Sequence, residues 1–242
     1  MSALGHLLES RGFATTVIGL VRYQIEQVRP PRGLWVPFEL GRPFGEPEDA
    51  AFQTRVLMQA LRLLERTDGP VILEDFADDP PGWADRVDWT APWDDAGGAG
   101  GDPAEALTAE MARLRPAWDA AQKRFGRTTV GLSQLELAAW PGFVGALLRG
   151  ELPVVPQHGT AALSARFLCD DIKAMYSEAA QGVGLAPSGR QIEDWFWHRT
   201  VAGRLLIALR RVALASENTG LKTVGGRFFV RGPYIPVEDQ SA

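Results

Sequence analysis

The sequence predicts an α/β protein: a small three-layer parallel sheet near the N-terminus, followed by a mostly helical C-terminal region. Two observations lead to this fold class. Short β-branched runs alternate with helical segments up to residue 74, and long segments with 3.6-residue apolar spacing follow from residue 104. Strand, helix and strand in this order are typical of right-handed crossovers and a parallel sheet. We therefore expect a Rossmann- or flavodoxin-like fragment over residues 1–74.

The first predicted elements alternate between helix and strand. A helix over residues 4–10 stops at Gly12, because glycine adopts the left-handed conformation that ends helices. The run over 14–20 is compact and β-branched, which suits a strand buried on both faces. Helical turns over 21–28 end at Pro30-Pro31, and a second strand is predicted over 33–38.

A clear amphipathic helix is predicted to open at Pro47. Proline is favoured at the first helical position, and Glu48 and Asp49 would lie in the electropositive first turn. One apolar face is predicted from the 3.6-residue spacing of Phe52, Val56, Leu57, Ala60, Leu61 and Leu64. A third strand is predicted over residues 70–73.

Residues 75–103 are predicted to form an acidic loop rich in tryptophan and glycine. Its glycine and proline content disfavours regular structure, and we interpret its aspartates as a solvated surface in preference to a metal site. The large side chains of Trp83, Trp89 and Trp93 should nevertheless pack against the body of the protein or another subunit.

The region 104–242 is predicted to be helical, with a short terminal strand. Helices are expected over 103–125, over 132–148 with a bend near Pro141, and over 160–180. Ser188 and Gln191 form a capping-box pattern at the start of a long helix that is predicted to run to Ala215. The run 227–230 is predicted to be a strand.

Composition limits the classes of function. A net charge of −5 disfavours a nucleic-acid-binding protein, and no apolar run approaches the length that spans a bilayer. The first residues show no secretory signal pattern, and the single cysteine, Cys169, allows no intrachain disulfide. One cysteine and three histidines exclude a cysteine-rich zinc site. We expect a cytoplasmic protein without nucleic-acid or membrane partners.

A series of short motifs points to a family. In order they are Glu9-Ser10, Thr16, Pro31-Arg32, Gly41, Gly45-Glu46-Pro47 and Gln53-Thr54, continued by Leu57, Ala60 and Leu61. With these motifs, residues 2–66 resemble the selenoprotein B subunits of the glycine, sarcosine, betaine and D-proline reductases, and the D-proline reductase subunit is most similar. The remainder of the chain does not contribute to the resemblance.

The resemblance implies reductive chemistry on a small amino-acid-like substrate. In that family, a selenocysteine and a nearby cysteine lie just upstream of the segment that Ser2-Ala3 would match. This sequence contains no selenocysteine, and Met1-Ser2-Ala3 has no thiol. We expect an enzyme or enzyme subunit without thiol or selenol chemistry of its own. The alternative is a non-catalytic ligand-binding, oligomerisation or partner subunit. No cofactor is assigned.

The resemblance places a substrate site in the N-terminal region, with candidate residues Thr16, Arg32, Gly41, Gly45 and Glu46. The loop from Gly41 follows the second strand, and ligands of parallel sheets bind at the carboxyl ends of strands. The Arg32 guanidinium is suited to hold a substrate carboxylate. Two other interpretations remain open: a structural ion pair between Arg32 and Glu46, and a threonine that only favours β structure.

Candidate catalytic residues in the helical region are His158, His198 and Asp194. Asp194 and His198 are one helical turn apart, so they are geometrically suited to a metal or a hydrogen-bonded pair, although ordinary surface or core histidines would give the same pattern. No metal site is assigned beyond this pair. Cys169 is interpreted as a packed helix residue, because Asp170 and Asp171 would disfavour its thiolate.

The aromatic run Trp195-Phe196-Trp197 occupies three successive helical positions. Three successive helical side chains cannot all face one core, so we expect at least one of them to lie against another element or another subunit. An aromatic surface at a subunit interface is the simplest account. A flavin or aromatic-ligand pocket is the alternative. The expected partners are therefore a small carboxylate and a second subunit, either another copy of the chain or a different protein.

Overall fold

The computed structural model describes residues 2–38, 41–45, 47–79, 88–93, 101–182, 184 and 187–239. The chain divides into two compact units, Met1–Ala84 and Asp85–Ala242. The first unit contains a three-stranded parallel sheet, and the second is helical in its described residues. The predicted fold class is thus confirmed as mixed α/β with a helical C-terminal part. Among the described residues, no helix is both long and apolar enough to cross a membrane.

The sheet of the first unit has the strand order β1-β2-β3, with both neighbouring pairs parallel. Two strands are shorter than the sequence predicts, since β1 is Val17–Gly19 and β2 is Arg32–Trp35. The third, β3, is Ile72–Asp75 and begins two residues later than predicted. The helices are α1 (Ser2–Glu9), α2 (Arg22–Val28) and α3 (Ala50–Arg62), and a 3-10 turn, Leu63–Glu65, continues α3. Gly12 has a φ of 85°, as expected for a glycine that ends a helix.

The start of α3 differs from the prediction. The helix begins at Ala50, after Asp49, whose carboxylate accepts a hydrogen bond of 3.0 Å from the Phe52 amide. Glu48 has a φ of 66°, which is incompatible with a helical turn. The predicted start at Pro47 was therefore wrong, because the cap at Asp49 makes Ala50, three residues later, the first residue of the helix.

The core of the first unit lies between α3 and strands β2 and β3. Phe38, Phe52 and Phe76 meet with ring centroids 5.5–5.7 Å apart. The apolar face of α3 is narrower than predicted, since Leu57 and Leu61 are 44% and 41% exposed. A sheet of three short strands covers only the stripe of α3 that contains the buried residues Phe52, Val56 and Ala60.

The second unit contains six α-helices in its described residues. These are α4 (Pro103–Phe125), α5 (Trp140–Leu148), α6 (Ala161–Gly182), α7 (Gly189–Arg199), α8 (Val201–Ala215) and α9 (Thr219–Val224). The bounds of α4 agree with the prediction, since Asp102 caps its start and Gly126 ends it in the left-handed conformation. Trp89 and Trp93 pack against the core of this unit, and Trp83 lies outside the described residues.

Three predictions about the second unit were wrong. The helix predicted from residue 132 begins at Trp140, with Pro141 in its first turn, where proline is tolerated. The long helix after Ser188 is two helices separated by Thr200, which has φ −121° and ψ 152°. The predicted strand over 227–230 lies in a π-helical turn, Gly225–Phe229, and the residue that ends it.

Thr200 is the local cause of the break between α7 and α8. Its hydroxyl donates a 2.6 Å hydrogen bond to the Phe196 carbonyl and accepts one of 3.0 Å from the Gly203 amide. Gly203 permits the close turn, because a Cβ atom there would lie 2.1 Å from the Phe196 carbonyl oxygen. The capping box of Ser188 and Gln191 forms as predicted.

All three aromatic side chains of the run in α7 are buried in the core of the second unit. Phe196 meets the ring of Tyr176 at 5.3 Å, and Trp195 meets it at 6.0 Å. Trp197 stacks on Tyr234 at 5.8 Å. Of the two expected arrangements, the structure shows packing against other elements of the same unit, because α6 and the segment after α9 enclose α7 on different sides.

Candidate functional site

The carboxyl edge of the sheet collects residues from all three strands. Gly19, Trp35 and Asp75 end β1, β2 and β3, and they lie opposite one another in the strand register. All strands of a parallel sheet have their carboxyl ends at one edge, which is where open α/β sheets bind ligands. This edge is the candidate site.

Arg22 adds a positive charge to this edge. It begins α2, three residues after the end of β1, and its guanidinium lies 3.2 and 3.3 Å from the two carboxylate oxygens of Asp75. It also pairs with Glu26 and lies 5.7 Å from the centroid of the Trp35 ring. Both partners of the Arg22–Asp75 pair are about half exposed, at 45% and 47%. A cation and a carboxylate are therefore open to solvent beside an aromatic ring.

Trp35 contributes an unused hydrogen-bond donor. Its indole Nε1 is buried and has no hydrogen-bond partner among the described residues. An unpaired buried donor costs free energy, and a ligand oxygen that accepted from it would recover that cost. Arg22, Asp75 and the Trp35 indole thus offer a positive charge, a negative charge and a neutral donor, a set that matches a small zwitterion.

The two predicted glycines follow the carboxyl end of β2 in the chain. Gly41 and Gly45 have φ values of 92° and 85°, so both positions favour glycine for conformational reasons. The Gly45 amide donates to the Arg42 carbonyl at 3.0 Å. Glu46 lies outside the described residues, and so does the alternative ion pair between it and Arg32.

Arg32 and Thr16 lie at the opposite, amino edge of the sheet. Thr16 immediately precedes β1, and Arg32 is the first residue of β2. Arg32 Nη1 donates to Glu9 Oε1 at 2.6 Å, and the same oxygen accepts from the Thr15 amide at 2.7 Å. Arg32 thus begins β2, whereas the segment from Gly41 follows the opposite, carboxyl end of that strand in the chain.

The predicted residues of the helical region fall in two places. Asp194 and His198 line one groove, and the Asp194 carboxylate accepts a 2.8 Å hydrogen bond from the Tyr234 hydroxyl. His158 bonds through Nε2 to the Ser133 carbonyl at 2.9 Å and packs against the Phe167 ring. Within the described ranges, no three His, Cys, Asp or Glu side chains come together in a way that could hold a metal ion.

Two acidic side chains of α6 hold the segment 128–133 in place. Asp171 is buried, and its carboxylate accepts hydrogen bonds of 2.9 Å from the three successive amides of residues 131–133 and one of 2.6 Å from the Ser133 hydroxyl. Glu178 accepts from Trp118 Nε1, from both threonine hydroxyls of residues 128 and 129, and from the Thr129 amide. Because these donors already occupy both carboxylates, their role is structural.

Glu110 of α4 also has a structural role. Its carboxylate accepts from the Tyr176 hydroxyl at 2.6 Å and from the amides of Val201 and Ala202 at 2.7 and 2.9 Å. The two amides belong to the first turn of α8, where backbone N–H groups lack helical partners. Glu110 thus caps α8 from another helix.

Cys169 is buried in the core of the second unit. Burial, with a smaller contribution from Asp170, raises the pKa of its thiol to about 12. The thiolate is the nucleophilic form of cysteine, so this residue is inert at neutral pH. Its interpretation as a packed helix residue is confirmed.

Sequence reasoning missed Arg22, Trp35 and Asp75. A signal exists for Arg22 and Asp75, because each lies just after the end of a predicted strand. The rule that ligands bind at the carboxyl ends of strands was applied only to the loop after the second strand. Applied to all three strands, it selects Arg22 and Asp75. Trp35 lies inside the predicted second strand, and only the observed end of β2 places it at this edge.

Comparison with protein-family models, with curated proteins and with solved structures found no match to this chain. The contacts at the two edges of the sheet are therefore the basis for assigning a function.

Proposed function

We propose that this chain binds a small amino-acid-like carboxylate at the carboxyl edge of its N-terminal sheet, as a relative of the amino-acid reductase subunits. Arg22 holds the carboxylate of the ligand, and Asp75 holds its ammonium group. The Trp35 indole donates a further hydrogen bond to the carboxylate. The observation that carries this proposal is the unpaired Trp35 Nε1 beside the half-exposed Arg22–Asp75 pair.

The energetics of the ion pair favour such a ligand. An exposed pair contributes about 0–1 kcal/mol to stability, so separating Arg22 from Asp75 costs little. A zwitterion inserted between them replaces one pair by two, and its carboxylate also satisfies Trp35. A ligand that carries only one of the two charges would leave either Arg22 or Asp75 without a partner.

The architecture of the first unit supports the proposed relationship. A β-α-β order with parallel strands is what a Rossmann- or flavodoxin-like fragment requires. Two of the residues that carry the resemblance, Glu9 and Arg32, form an ion pair of 2.6 Å at the amino edge of the sheet. Motif residues of the proposed family thus contribute to the scaffold, and the ligand-binding groups lie at the other edge.

In this proposal the chain binds and positions the amino acid and supplies no thiol chemistry, because its sole cysteine is the buried, protonated Cys169. If the bound amino acid is reductively cleaved, the thiol or selenol comes from outside these 242 residues. The proposed setting is the cytoplasm, and the proposed class is an oxidoreductase-related subunit.

The test is a titration with zwitterionic and singly charged probes. We expect glycine and D-proline to bind the wild-type protein in isothermal titration calorimetry, and acetate to bind at least about tenfold more weakly, a difference of roughly 1.4 kcal/mol. Arg22→Gln should abolish the binding. The matched control is Arg115→Gln, since Arg115 also pairs with an exposed carboxylate beside a tryptophan.

Two results would count against the site. Equal binding of glycine by wild type and Arg22→Gln would place the ligand elsewhere. Loss of binding in Arg115→Gln would show that removal of an arginine disturbs the protein without regard to its position.

A non-catalytic partner subunit is the second candidate, and the surface of α3 favours it. Leu57, Met58 and Leu61 are each more than 40% exposed and form an apolar strip on the outer side of this helix. Apolar strips of this kind are common at protein interfaces. Light scattering would detect a homo-oligomer, and Leu61→Glu should then reduce the native mass. A monomeric wild-type protein would exclude a homo-oligomer.

A further inference from the structure

A groove in the second unit forms a possible ligand site that is independent of the sheet. It has a volume of about 570 Å³, which lies in the range of small-molecule sites. The residues that line it come mainly from one face of α7: Trp89, Gln191, Asp194, Trp195, His198 and Arg199.

One wall of the groove is aromatic. The rings of Trp89 and Trp195 meet edge to face, with centroids 6.4 Å apart. Both indole N–H groups donate to carbonyl oxygens of the protein, Trp89 to Ala180 and Trp195 to Trp93. With their polar atoms already bonded, the two rings offer the groove only carbon surface, which suits an aromatic group.

The α7 residues that line the groove also carry both signs of charge. Asp194 and Arg199 are exposed on α7, and His198 lies between them in the sequence. The Tyr234 hydroxyl occupies one acceptor position on Asp194 Oδ1, and a carboxylate has about four such positions. Asp194 therefore retains the capacity to accept from a ligand ammonium group.

We propose that this groove binds a free aromatic α-amino acid. The ring of the ligand packs against Trp89 and Trp195, its ammonium group bonds to Asp194, and its carboxylate faces Arg199 and His198. A purely anionic ligand would be repelled by Asp194, and a purely cationic one by Arg199. The site goes beyond the proposed function, because it uses none of the residues at the sheet edge.

The experiment compares three probes that differ by one group. L-phenylalanine carries both charges, 3-phenylpropionate lacks the amine, and phenethylamine lacks the carboxylate. In isothermal titration calorimetry, wild type should bind phenylalanine at least about tenfold more tightly than either of the others. Asp194→Asn should weaken phenylalanine binding by about tenfold and leave the affinity for 3-phenylpropionate no lower. The asparagine oxygen still accepts from Tyr234, so the fold is retained.

Control variants separate this site from the one at the sheet. Asp119→Asn removes an exposed carboxylate that does not line the groove, and it should bind phenylalanine as wild type does. Arg22→Gln should also bind it normally. If Arg22→Gln loses phenylalanine, the ligand lies at the sheet edge and the groove proposal is overturned, whereas the proposed function survives.

Indole N–H signals in NMR spectra give a second measurement, which is made on the wild-type protein once the signals are assigned. Phenylalanine should shift the signals of Trp89 and Trp195, assigned by single Trp→Phe replacements, and leave that of Trp35 unchanged. Absence of binding, equal affinity in Asp194→Asn, or unshifted Trp89 and Trp195 signals would each refute the proposal.

Discussion

Arg22 and Arg115 occupy similar surroundings in the two units of this chain. Each is about half exposed, pairs with an aspartate and lies beside a tryptophan ring, 5.7 Å from Trp35 and 5.3 Å from Trp118. The two tryptophans differ in one hydrogen bond. Trp118 Nε1 donates to Glu178 at 2.7 Å, whereas Trp35 Nε1 has no partner among the described residues.

This difference separates a structural cluster from a candidate binding site. Around Trp118, the polar groups satisfy one another and hold the segment 128–133 against α6. The Trp35 indole N–H, in contrast, is an unpaired donor at the carboxyl edge, which is where parallel sheets bind ligands. The presence of an arginine, an acid and a tryptophan is thus uninformative by itself, and it is the unpaired donor at the carboxyl edge that makes the Trp35 cluster a candidate binding site.

The largest expected effect comes from removing Glu178. Glu178→Ala leaves four donors without their shared acceptor, so we expect the free energy of unfolding to fall by about 3 kcal/mol. Urea unfolding followed by circular dichroism measures the loss. The matched control is Glu26→Ala, which removes an exposed acid of α2. A loss below about 0.5 kcal/mol for Glu178→Ala would show that the Trp118 cluster is not structural.

The second-largest expected loss of stability comes from the amino edge of the sheet, where Arg32 lies. Arg32→Gln breaks the partly buried pair with Glu9, and we expect it to lower the free energy of unfolding by about 2 kcal/mol. Ligand binding at the carboxyl edge should be unaffected. If Arg32→Gln abolishes glycine binding while the protein remains folded, glycine binds at the amino edge of the sheet and not at the carboxyl edge.

A smaller change in the free energy of unfolding is expected when either tryptophan is replaced by phenylalanine. Trp118→Phe loses a hydrogen bond to a carboxylate and should lower the free energy of unfolding by about 1.5 kcal/mol. Trp35→Phe loses no such bond, so its effect should be about 1 kcal/mol smaller, although glycine no longer binds. Chemical unfolding of both variants measures the two stability changes, and calorimetry measures their glycine binding. Equal destabilisation with intact binding in Trp35→Phe would contradict the functional reading of the unpaired indole.

The smallest effect is a pH dependence that arises from Glu178. Burial alone would raise the pKa of this carboxyl, but hydrogen bonds from Thr129, Thr128 and Trp118 outweigh it and hold the pKa below its ordinary value. The folded state therefore binds a proton less readily than the unfolded state. This contribution to stability is complete above the unfolded pKa of about 4.3 and is lost as the pH falls through the lower folded pKa.

We expect the stability difference between wild type and Glu178→Gln to shrink as the pH is lowered from about 5 to about 3. Urea unfolding at several pH values measures it. A difference that grows over this range would show that the folded pKa is raised.

Local signals in the sequence predicted the helices that are bounded by their own caps. Asp102 and Gly126 set the ends of α4, and Ser188 with Gln191 sets the start of α7. These groups act within one turn of the chain, so their effect is visible without the rest of the protein. The break at Thr200 was not predicted, because it depends on the close contact between Gly203 and the Phe196 carbonyl.

The candidate site was predicted only in outline. The sequence directed attention to the carboxyl edge of a parallel sheet, and Gly41 and Gly45 lie in the segment that follows β2. Arg22 and Asp75 are separated by 53 positions in the chain, and the strand register brings them together. Arg32 precedes the predicted second strand and begins the observed one, so its place at the amino edge follows from the sequence prediction itself.

Asp171 and Glu178 are seven residues apart on α6, so their carboxylates are spaced by about two helical turns, or roughly 10 Å. The amides that the two carboxylates bind run from Thr129, on Glu178, to Ser133, on Asp171, which are four positions apart in the chain. The fixed spacing of the two carboxylates on α6 therefore restricts the length of the segment that they bind. One residue inserted into or deleted from 129–132 would shift the amides by about 3.3 Å and uncouple one carboxylate. Unlike an ordinary surface connection, this loop should tolerate substitutions far better than changes in length.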